Sequence, residues 1–449
     1  MKQETKLAKF ETLGCRLNHT ETEILQRSLE QQGYRLAGDE GEVDLFVVNT
    51  CTVTEQGDAK NRQLIRSLHR RHPQASIAVI GCYAQMDGNR ISKMPGVRLV
   101  LGNQEKMNLS EHLILLEKDE GNRVIAPSFQ RGSFEAPVIP KINREDNSGK
   151  QKVVKEFRTR TSLKIQDGCD FMCSFCIIPF ARGRSRYRNF NNLMQEAKIL
   201  SEEGVKEIVL TGVNIGTFEE KGKNLLNIID ELHDLEGLER IRISSIEPTT
   251  LPGGILERMN DDQHKLVPFL HLPVQSGSES ILKRMKRRYS VEDYSKEVLE
   301  ASKAVKGICI GTDVMVGFPG ESEEYFQHTH DLLQDLPIQY FHVFPFSGRS
   351  GTPAHKMADQ VDAKIIRERA AILRHLSQKK RRQYHQKLIG SIQKVLFEAR
   401  KADGTQSGYT ENYTRVTLQE DLKLDLCNQM IPIHITEIGK GHVFGQRTL

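Results

Sequence analysis

Cys169, Cys173 and Cys176 fall within eight residues, in Gly168-Cys-Asp-Phe-Met-Cys-Ser-Phe-Cys176. Three soft thiolates held this close can wrap an iron–sulfur cluster. The number of ligands carries the chemistry. A cubane [4Fe–4S] cluster has four irons, so three local thiolates leave one iron open to a small molecule. A closed zinc site or an electron carrier would complete its set with a fourth protein ligand.

A second set is dispersed. Cys15, Cys51 and Cys82 are 36 and 31 residues apart, about one strand–helix unit each time. Each directly follows a predicted strand and precedes a predicted helix. In a parallel sheet all such positions lie along one edge, so the three can converge there. Helix N-termini beside them favour thiolates. The plain alternative is three small buried hydrophobes, but identical placement in three successive units favours a second three-thiolate cluster. Cys309, inside a predicted strand, and Cys427, near the end of the chain, read as structural.

The elements that must position these thiols follow from apolar patterning. Residues 1–118 alternate strands and helices: Leu7–Leu13, Val43–Val48, Ser76–Ile80 and Val97–Leu101 read as strands. Thr20/Glu23 and Thr52/Glu55 have capping-box spacing ahead of helices. This is the pattern of a doubly wound parallel sheet. Residues 119–160, rich in Pro, Gly and charge, read as a connection. From 161 to 388 the alternation resumes, with strands at Leu163–Ile165, Glu207–Leu210, Arg240–Ser244, Leu266–Leu270, Ile308–Met315 and Tyr340–Phe344. Six parallel units make an incomplete TIM-like (β/α)6 barrel, with its chemistry at the C-terminal strand ends. Residues 389–449 switch to short alternating runs, the pattern of a small antiparallel β-barrel. The fold class is α/β with three domains.

Composition limits the rest. A chain of 449 residues that is 38% hydrophobic and 27% charged is globular and too long for one core. No apolar run approaches the ~18 residues of a membrane span, and the N-terminus lacks a signal-peptide core. The expected setting is a reducing cytoplasm, where eight cysteines point to metal ligation over disulfides. The net charge is +5, yet Ala363–Leu388 alone holds nine Lys/Arg against Glu368. This segment, with Arg374, Lys379, Lys380, Arg381 and Arg382, is the candidate polyanion contact; a solvated helix face is the alternative.

The C-x3-C-x2-C loop with Phe175 between two ligands resembles the radical S-adenosylmethionine (radical SAM) superfamily. Together with the N-terminal cysteine triad and the terminal small β domain, the whole chain resembles the methylthiotransferases. Thr12-Leu-Gly-Cys-Arg-Leu-Asn18, Asn49-Thr-Cys51, Gly81-Cys-Tyr-Ala84, His271-Leu-Pro-Val-Gln-Ser-Gly277 and Gly317-Phe-Pro-Gly-Glu321 carry the likeness. Ile177-Ile-Pro-Phe-Ala-Arg-Gly183 and the Gly-Cys-Tyr-Ala stretch are most similar to the branch acting on N6-threonylcarbamoyladenosine at tRNA position 37.

The resemblance implies two [4Fe–4S] clusters, one on Cys169/Cys173/Cys176 that chelates SAM and one on Cys15/Cys51/Cys82 that carries the methylthio group. Reductive SAM cleavage would give a radical that takes hydrogen from adenine carbon 2, chemistry that only a cofactor supplies. No side chain is then catalytic by itself. Phe175, Gly212, Asn214, Ser244, Glu247, Gln275 and Arg186 become candidates for holding SAM, each with a plain turn, cap or packing role as the alternative. The implied partners are the tRNA anticodon stem-loop and an electron donor, with no membrane and no DNA. The tail resembles the OB-like TRAM domain, where Tyr409 or Tyr413 is expected to stack on a base. Two sister substrates stay open, isopentenyladenosine in tRNA and an aspartate of a ribosomal protein. A reading of another class is a two-cluster electron carrier or iron–sulfur RNA-binding protein.

Overall fold

The structure is a computed structural model describing residues 6–38, 41–117, 121–129, 132–138, 159–420 and 424–448. Most of the connection expected at 119–160 lies outside the described residues. Six strands build the first sheet: β1 (Leu7–Thr12), β2 (Arg35–Leu36), β3 (Leu45–Thr50), β4 (Ser76–Gly81), β5 (Val97–Leu101) and β6 (Arg123–Ile125), in the order β2-β1-β3-β4-β5-β6. All its ladders are parallel. β6 comes from the stretch read as connection. β3 is buried along its whole length, as expected of a central parallel strand covered on both faces. Its alternating side chains feed two cores. Phe46 and Val48 meet α2 (Glu55–Arg71) and α3 (Cys82–Ile91), while Leu45 and Val47 share a core with α1 (Arg16–Gln31) and α4 (Leu109–Glu117).

The helices start closer to the cysteines than the capping pattern indicates. α1 begins at Arg16 with Cys15 as its N-cap, so Thr20 lies inside the helix and donates its hydroxyl back to the Arg16 carbonyl at 3.0 Å. Thr54, not Thr52, caps α2 by accepting from Gly57 N at 3.0 Å. Thr52 donates to Asp58 instead, at 2.7 Å. The strand-to-helix loops are tighter than a full capping box requires.

The second unit runs β7 (Arg160–Lys164), β8 (Gln166–Asp167), α5 (Ile178–Ala181), β9 (Arg186–Tyr187), α6 (Phe190–Glu202), β10 (Glu207–Thr211), β11 (Glu219–Glu220), β12 (Lys223–Asn224), α7 (Leu225–His233), β13 (Arg240–Ile243), α8 (Ile255–Asn260), β14 (Phe269–His271), α9 (Glu279–Arg284), α10 (Val291–Ala304), β15 (Cys309–Val316), α11 (Glu323–Asp335), β16 (Tyr340–Pro345) and α12 (Ala363–Leu388). Parallel ladders join β7-β10-β13 and β14-β15-β16. Bridges Ile241–Leu266 and Ser245–His271 connect the halves, giving the six-strand partial barrel. Outward residues such as Leu163, Ile208, Ile241, Leu270, Ile310 and Phe341 share the core with the helices. By alternation, the inner wall is polar: Arg160 and Lys164, Glu207, Arg240 and Arg242, His271, Asp313, His342.

The tail is a closed barrel of β17 (Ile392–Phe397), β18 (Ser407–Tyr409), β19 (Arg415–Leu418), β20 (Met430–Ile438) and β21 (Val443–Arg447). Its β19–β21 ladder is parallel and the others antiparallel. It plugs the N-terminal end of the larger barrel. Arg240 donates to the Tyr409 and Lys394 carbonyls at 3.0 and 2.6 Å, and Arg242 to the Glu411 carbonyl at 2.8 Å. The Tyr409 and Tyr413 rings stack at 4.9 Å beneath Arg160, 4.5 and 5.2 Å away. These tyrosines, expected to stack on a base, are committed to holding the tail in place. Among the described residues no helix is long and apolar enough to cross a membrane.

A buried ionic network seams the first sheet domain to the barrel. Glu21 of α1 accepts from Arg182 at 3.0 Å through both carboxylate oxygens, from Lys164 at 2.7 Å, and from Lys106. Asp167 accepts from Arg182 at 2.9 Å and Lys164 at 2.7 Å. All five side chains are at most 4% exposed. Burial alone would raise the Glu21 carboxyl, but Arg182, Lys106 and Lys164 hold it well below its ordinary range. Removing one partner of a buried pair strands the other. Arg182→Met should therefore destabilise the protein by about 3–5 kcal/mol in urea unfolding; a loss below ~1 kcal/mol would show that the seam does not hold the domains.

Candidate metal centres and the seam between them

The sequence-predicted thiols sit where the fold argument puts them. Cys15 caps α1, Cys51 follows β3, and Cys82 opens α3, all at the C-terminal edge of the first sheet. Glycine makes the close approach possible. A Cβ on Gly14, whose φ is +114°, would come within 2.5 Å of Cys51 Cβ and 3.0 Å of its Sγ. Gly81 precedes Cys82 at φ +97° with Asn49 Oδ1 at 2.6 Å from where a Cβ would stand. Asn18 fixes the loops by donating to the Leu13 and Thr50 carbonyls at 2.9 and 3.1 Å.

Burial pushes the Cys51 thiol up to about 11, and the thiols of Cys82 and Cys15 reinforce the shift. Burial likewise raises Cys169 to about 11 and Cys176 to about 12, with Cys173 adding to both. As bare thiols these groups stay protonated at neutral pH. A bound cationic centre would strip their protons and relieve the mutual repulsion. Among the described residues neither triad brings its sulfurs within 4.8 Å of one another, so neither is closed on a single ion. A cubane, which spreads its thiolates over separate irons, fits the donor sets. The seam is consistent with this. Lys106, Lys164 and Arg182 outnumber Glu21 and Asp167, and the Cys82 sulfur lies near enough to act electrostatically on both Lys106 and Arg182.

Each N-terminal thiol is reached by the barrel domain within a few residues. Arg182 donates to Asn18 Oδ1 at 2.6 Å, three residues from Cys15. Arg349, in the loop after β16, donates to the Thr52 carbonyl and hydroxyl at 3.1 and 2.7 Å and pairs with Asp58 at 2.8 Å. Asn103 Nδ2 donates to Cys82 Sγ at 3.3 Å and to the Ala181 carbonyl at 2.6 Å. Ala181 ends α5, five residues beyond Cys176.

On the barrel side Arg287 is the hub. It donates to Cys173 Sγ at 3.3 Å and to Tyr289 Oη at 3.1 Å, and it pairs with Glu247. Tyr289 in turn donates to the Pro273 and Val274 carbonyls at 2.8 and 2.9 Å. Burial opposes charge on Arg287, but Tyr289 and Glu247 hold it protonated. Arg287 belongs to the basic run Lys283–Arg288, which in sequence reads equally as a carboxylate or phosphate contact and as a solvated stripe; a charge run looks the same whether solvated or buried.

The SAM candidates separate. Phe175 packs in a small apolar cluster, edge-on to Phe318 at 6.4 Å. Asn214 is buried, its Oδ1 accepting from Thr250 at 3.2 Å and its Nδ2 left without a partner, an orphaned donor in search of an acceptor. The amides of Val213 and Asn214 are taken by Gln166 Oε1, both at 2.8 Å, so the Gly212 turn serves Gln166 first. Glu247 is tied to Arg287, Ser244 is half-buried just past β13, and Gln275 adopts φ +68° beside Asp313. Arg186 stands 3.7 Å from Asp167 and belongs to the seam. Arg182, Arg184, Arg186 and Arg188 alternate along the sequence, which in an extended segment would put them on one face for a carboxylate or phosphate, but they do not act as one. Arg182 is buried, Arg184 is exposed beside Asp170, and Arg188 pairs with Glu196.

On α12, Arg374, Lys379 and Arg382 are exposed. Lys380 caps α11 by donating to the Leu333, Gln334 and Leu336 carbonyls at 2.7–2.8 Å, and burial lowers it to about 8. Arg381 lies 5.1 Å over the Tyr340 ring.

Residues 7–102 match the uncharacterized protein family UPF0004, and residues 163–333 match the radical SAM superfamily. The chain is 37% identical to the threonylcarbamoyladenosine tRNA methylthiotransferase MtaB of Bacillus subtilis, over 97% of this chain and 95% of that one. It is 38% identical to the MtaB of Aquifex aeolicus, over 86% and 92%. A tRNA-2-methylthio-N(6)-dimethylallyladenosine synthase of Cereibacter sphaeroides is 32% identical over 98% of both chains. In fold, the chain is similar to the radical S-adenosylmethionine methyltransferase TsrM of Kitasatospora setae, with TM-score 0.55 and 17% identity over 90% of this chain and 80% of that one.

Gly14→Ala should displace Cys15 from Cys51. After anaerobic reconstitution the variant is expected to hold markedly less iron than wild type, with the Cys169 loop unaffected. Equal iron in variant and wild type would mean that the Gly14 approach does not shape the site.

Proposed function

The chain belongs to the radical SAM methylthiotransferase family, and on that footing we propose that it converts N6-threonylcarbamoyladenosine next to the tRNA anticodon into its 2-methylthio derivative. It is a radical SAM tRNA methylthiotransferase by descent. The substrate follows the activity for which the MtaB relatives are named, the two of higher identity. What carries the reading is two three-thiolate sets at the C-terminal edges of two sheets, linked through Asn103 between Cys82 and Ala181.

In this reading residues 1–118 carry the auxiliary site, 161–388 the radical SAM site and the basic helix, and 389–449 the TRAM barrel. Cys169, Cys173 and Cys176 hold one [4Fe–4S] cluster, and Cys15, Cys51 and Cys82 hold the other. When bound, the clusters and SAM would supply reductive SAM cleavage and a methylthio group: the 5′-deoxyadenosyl fragment of one SAM would take the carbon-2 hydrogen, a second SAM would give methyl, and a separate donor would provide electrons.

The chain's residues do the rest. Arg287 donates to the Cys173 sulfur and fixes Glu247. Asn214 and Phe175 offer SAM an orphaned donor and a ring face. The Glu21–Arg182 seam sets the separation of the two sites and excludes water between them. Arg374, Lys379 and Arg382 face the RNA phosphates, while Arg381, over Tyr340, and Lys380, capping α11, contribute charge at a distance.

The test is anaerobic reconstitution with iron and sulfide, then SAM, reductant and tRNA, with nucleosides analysed by mass spectrometry. A methylthio gain on threonylcarbamoyladenosine is expected. A gain only on isopentenyladenosine would overturn the substrate, and no gain on any nucleoside with active SAM cleavage would point to a protein acceptor. Separately, the triple variant Arg374→Ala, Lys379→Ala, Arg382→Ala should flatten the salt dependence of tRNA binding by roughly 0.7–0.9 in slope for each phosphate no longer neutralised. An unchanged slope would remove α12 from the interface.

A further inference from the structure

The inner wall of the barrel carries a cluster that neither thiolate site uses. His271 ends β14, Asp313 lies in β15 and His342 in β16, with Asp313 directly paired to His342 in register. One ligating atom from each lies within 4.8 Å of the other two. His271 Nε2 is 3.1 Å from Asp313 Oδ1, and its Nδ1 is 3.3 Å from Tyr340 Oη. The cluster is graded from closed to open, with His271 buried, Asp313 half-buried and His342 exposed. Phe344, two residues on and 48% exposed, presents its ring on the same face, 6.5 Å from His342. Asp313 is also close enough to Glu247 for the carboxylates to repel. The cluster therefore borders the Arg287–Cys173 side of the site.

Two occupants suit such a wall. A divalent ion would use all three groups as ligands. Two features oppose it: Asp313, the sole carboxylate, is already shared with His271, and Arg381 stands over Tyr340 and adds positive charge next to His342. The same features favour a substituent that carries both donors and acceptors. Asp313 can accept from an N–H, while His342 and Arg381 offer a donor and a positive field to a carbonyl or carboxylate. Threonylcarbamoyl has an N–H, a carbonyl, a hydroxyl and a carboxylate. An isopentenyl group has none and would leave the wall desolvated without partners.

We propose that His271, Asp313 and His342 form the surface that reads the polar N6 substituent of the acceptor adenosine, with Phe344 against the base. This rests on the substrate reading above and makes His342 and Asp313 its specificity residues. His271 is a positioning residue that orients Asp313. Sites that hydrogen-bond a substituent reject its apolar analogue far more strongly than apolar pockets reject a polar one.

The experiment compares anticodon stem-loop RNAs bearing threonylcarbamoyladenosine or isopentenyladenosine in cluster-loaded wild type, His342→Leu and Asp313→Asn. Methylthio product is read against 5′-deoxyadenosine formed. His342 is exposed, so His342→Leu tests the idea without unfolding the barrel, and His342→Gln should restore part of the loss. The expected result is a fall of at least ~10-fold in the preference for the threonylcarbamoyl RNA, of the kind that follows when hydrogen bonds to a substrate are removed. An unchanged preference in both variants, with both clusters intact, would overturn the proposal. Stoichiometric zinc or manganese retained by wild type and absent from His342→Leu would overturn it in favour of an ion. Failure of wild type itself to modify threonylcarbamoyladenosine would instead defeat the substrate reading.

Discussion

Glu21 cannot be buried in the first sheet domain alone. Its carboxylate needs Lys106 from its own domain and Lys164 and Arg182 from the barrel, and a lone buried carboxylate costs several kcal/mol. The two domains therefore define each other. The interface that satisfies Glu21 also sets where the edge of one sheet meets the edge of the other, and both cysteine triads lie on those edges. Arg349 repeats the device beside Cys51 and Asn103 beside Cys82. Polar ties carry geometric information that an apolar interface would lack, because each has one partner at one distance. The surplus cation gives the seam an electrostatic direction, toward the thiols.

Much of this arrangement is legible in the sequence because it follows period and spacing. Strand–helix alternation puts Cys15, Cys51 and Cys82 at equivalent ends of parallel strands, and the C-x3-C-x2-C loop needs no tertiary information. The six barrel strands are readable for the same reason, within a residue or three at their ends. What is not legible depends on which side chains meet across domains. Arg182, Arg184, Arg186 and Arg188 alternate in the sequence and suggest one cationic face, yet Arg182 and Arg186 meet Asp167 in the seam, Arg184 meets Asp170 and Arg188 meets Glu196. Arg287 is hidden in a charge run. Lys380 looks like its neighbours, but its ammonium satisfies the last carbonyls of α11. Tyr409 and Tyr413 read as exposed platforms because nothing local indicates that a second barrel lies beneath them. The capping boxes mislead for a simpler reason, since the same residue types at the same spacing can bond inside a helix.

The barrel interior explains why a small OB-like tail is attached. Arg160, Arg240, Arg242 and Glu207 line its N-terminal end, and a lumen of charged groups must be covered or flooded. Carbonyls and tyrosine faces of the tail provide acceptors and cation–π surfaces, and its Glu398 and Glu411 pair with Arg160 and Arg240 at 2.9 and 3.6 Å. The N-terminal end is thereby closed, and the working end is left to the strand termini and the open side at β16.

The seam also sets a schedule. Glu21 leaves the ribosome 161 residues before Arg182, an interval of roughly 8–30 s at ordinary elongation rates. Once Ile125 is out the first sheet can form its six parallel strands, but until Ala181 follows Asn103 lacks that partner, and Cys82 is uncovered. On the two-cluster reading, delivery of iron and sulfide to Cys82 thus has a natural window during synthesis, before the barrel docks. After docking, Asn103 and the end of α5 lie against Cys82 while Cys15 stays exposed, so loading of the finished protein would have to enter from the Cys15 side.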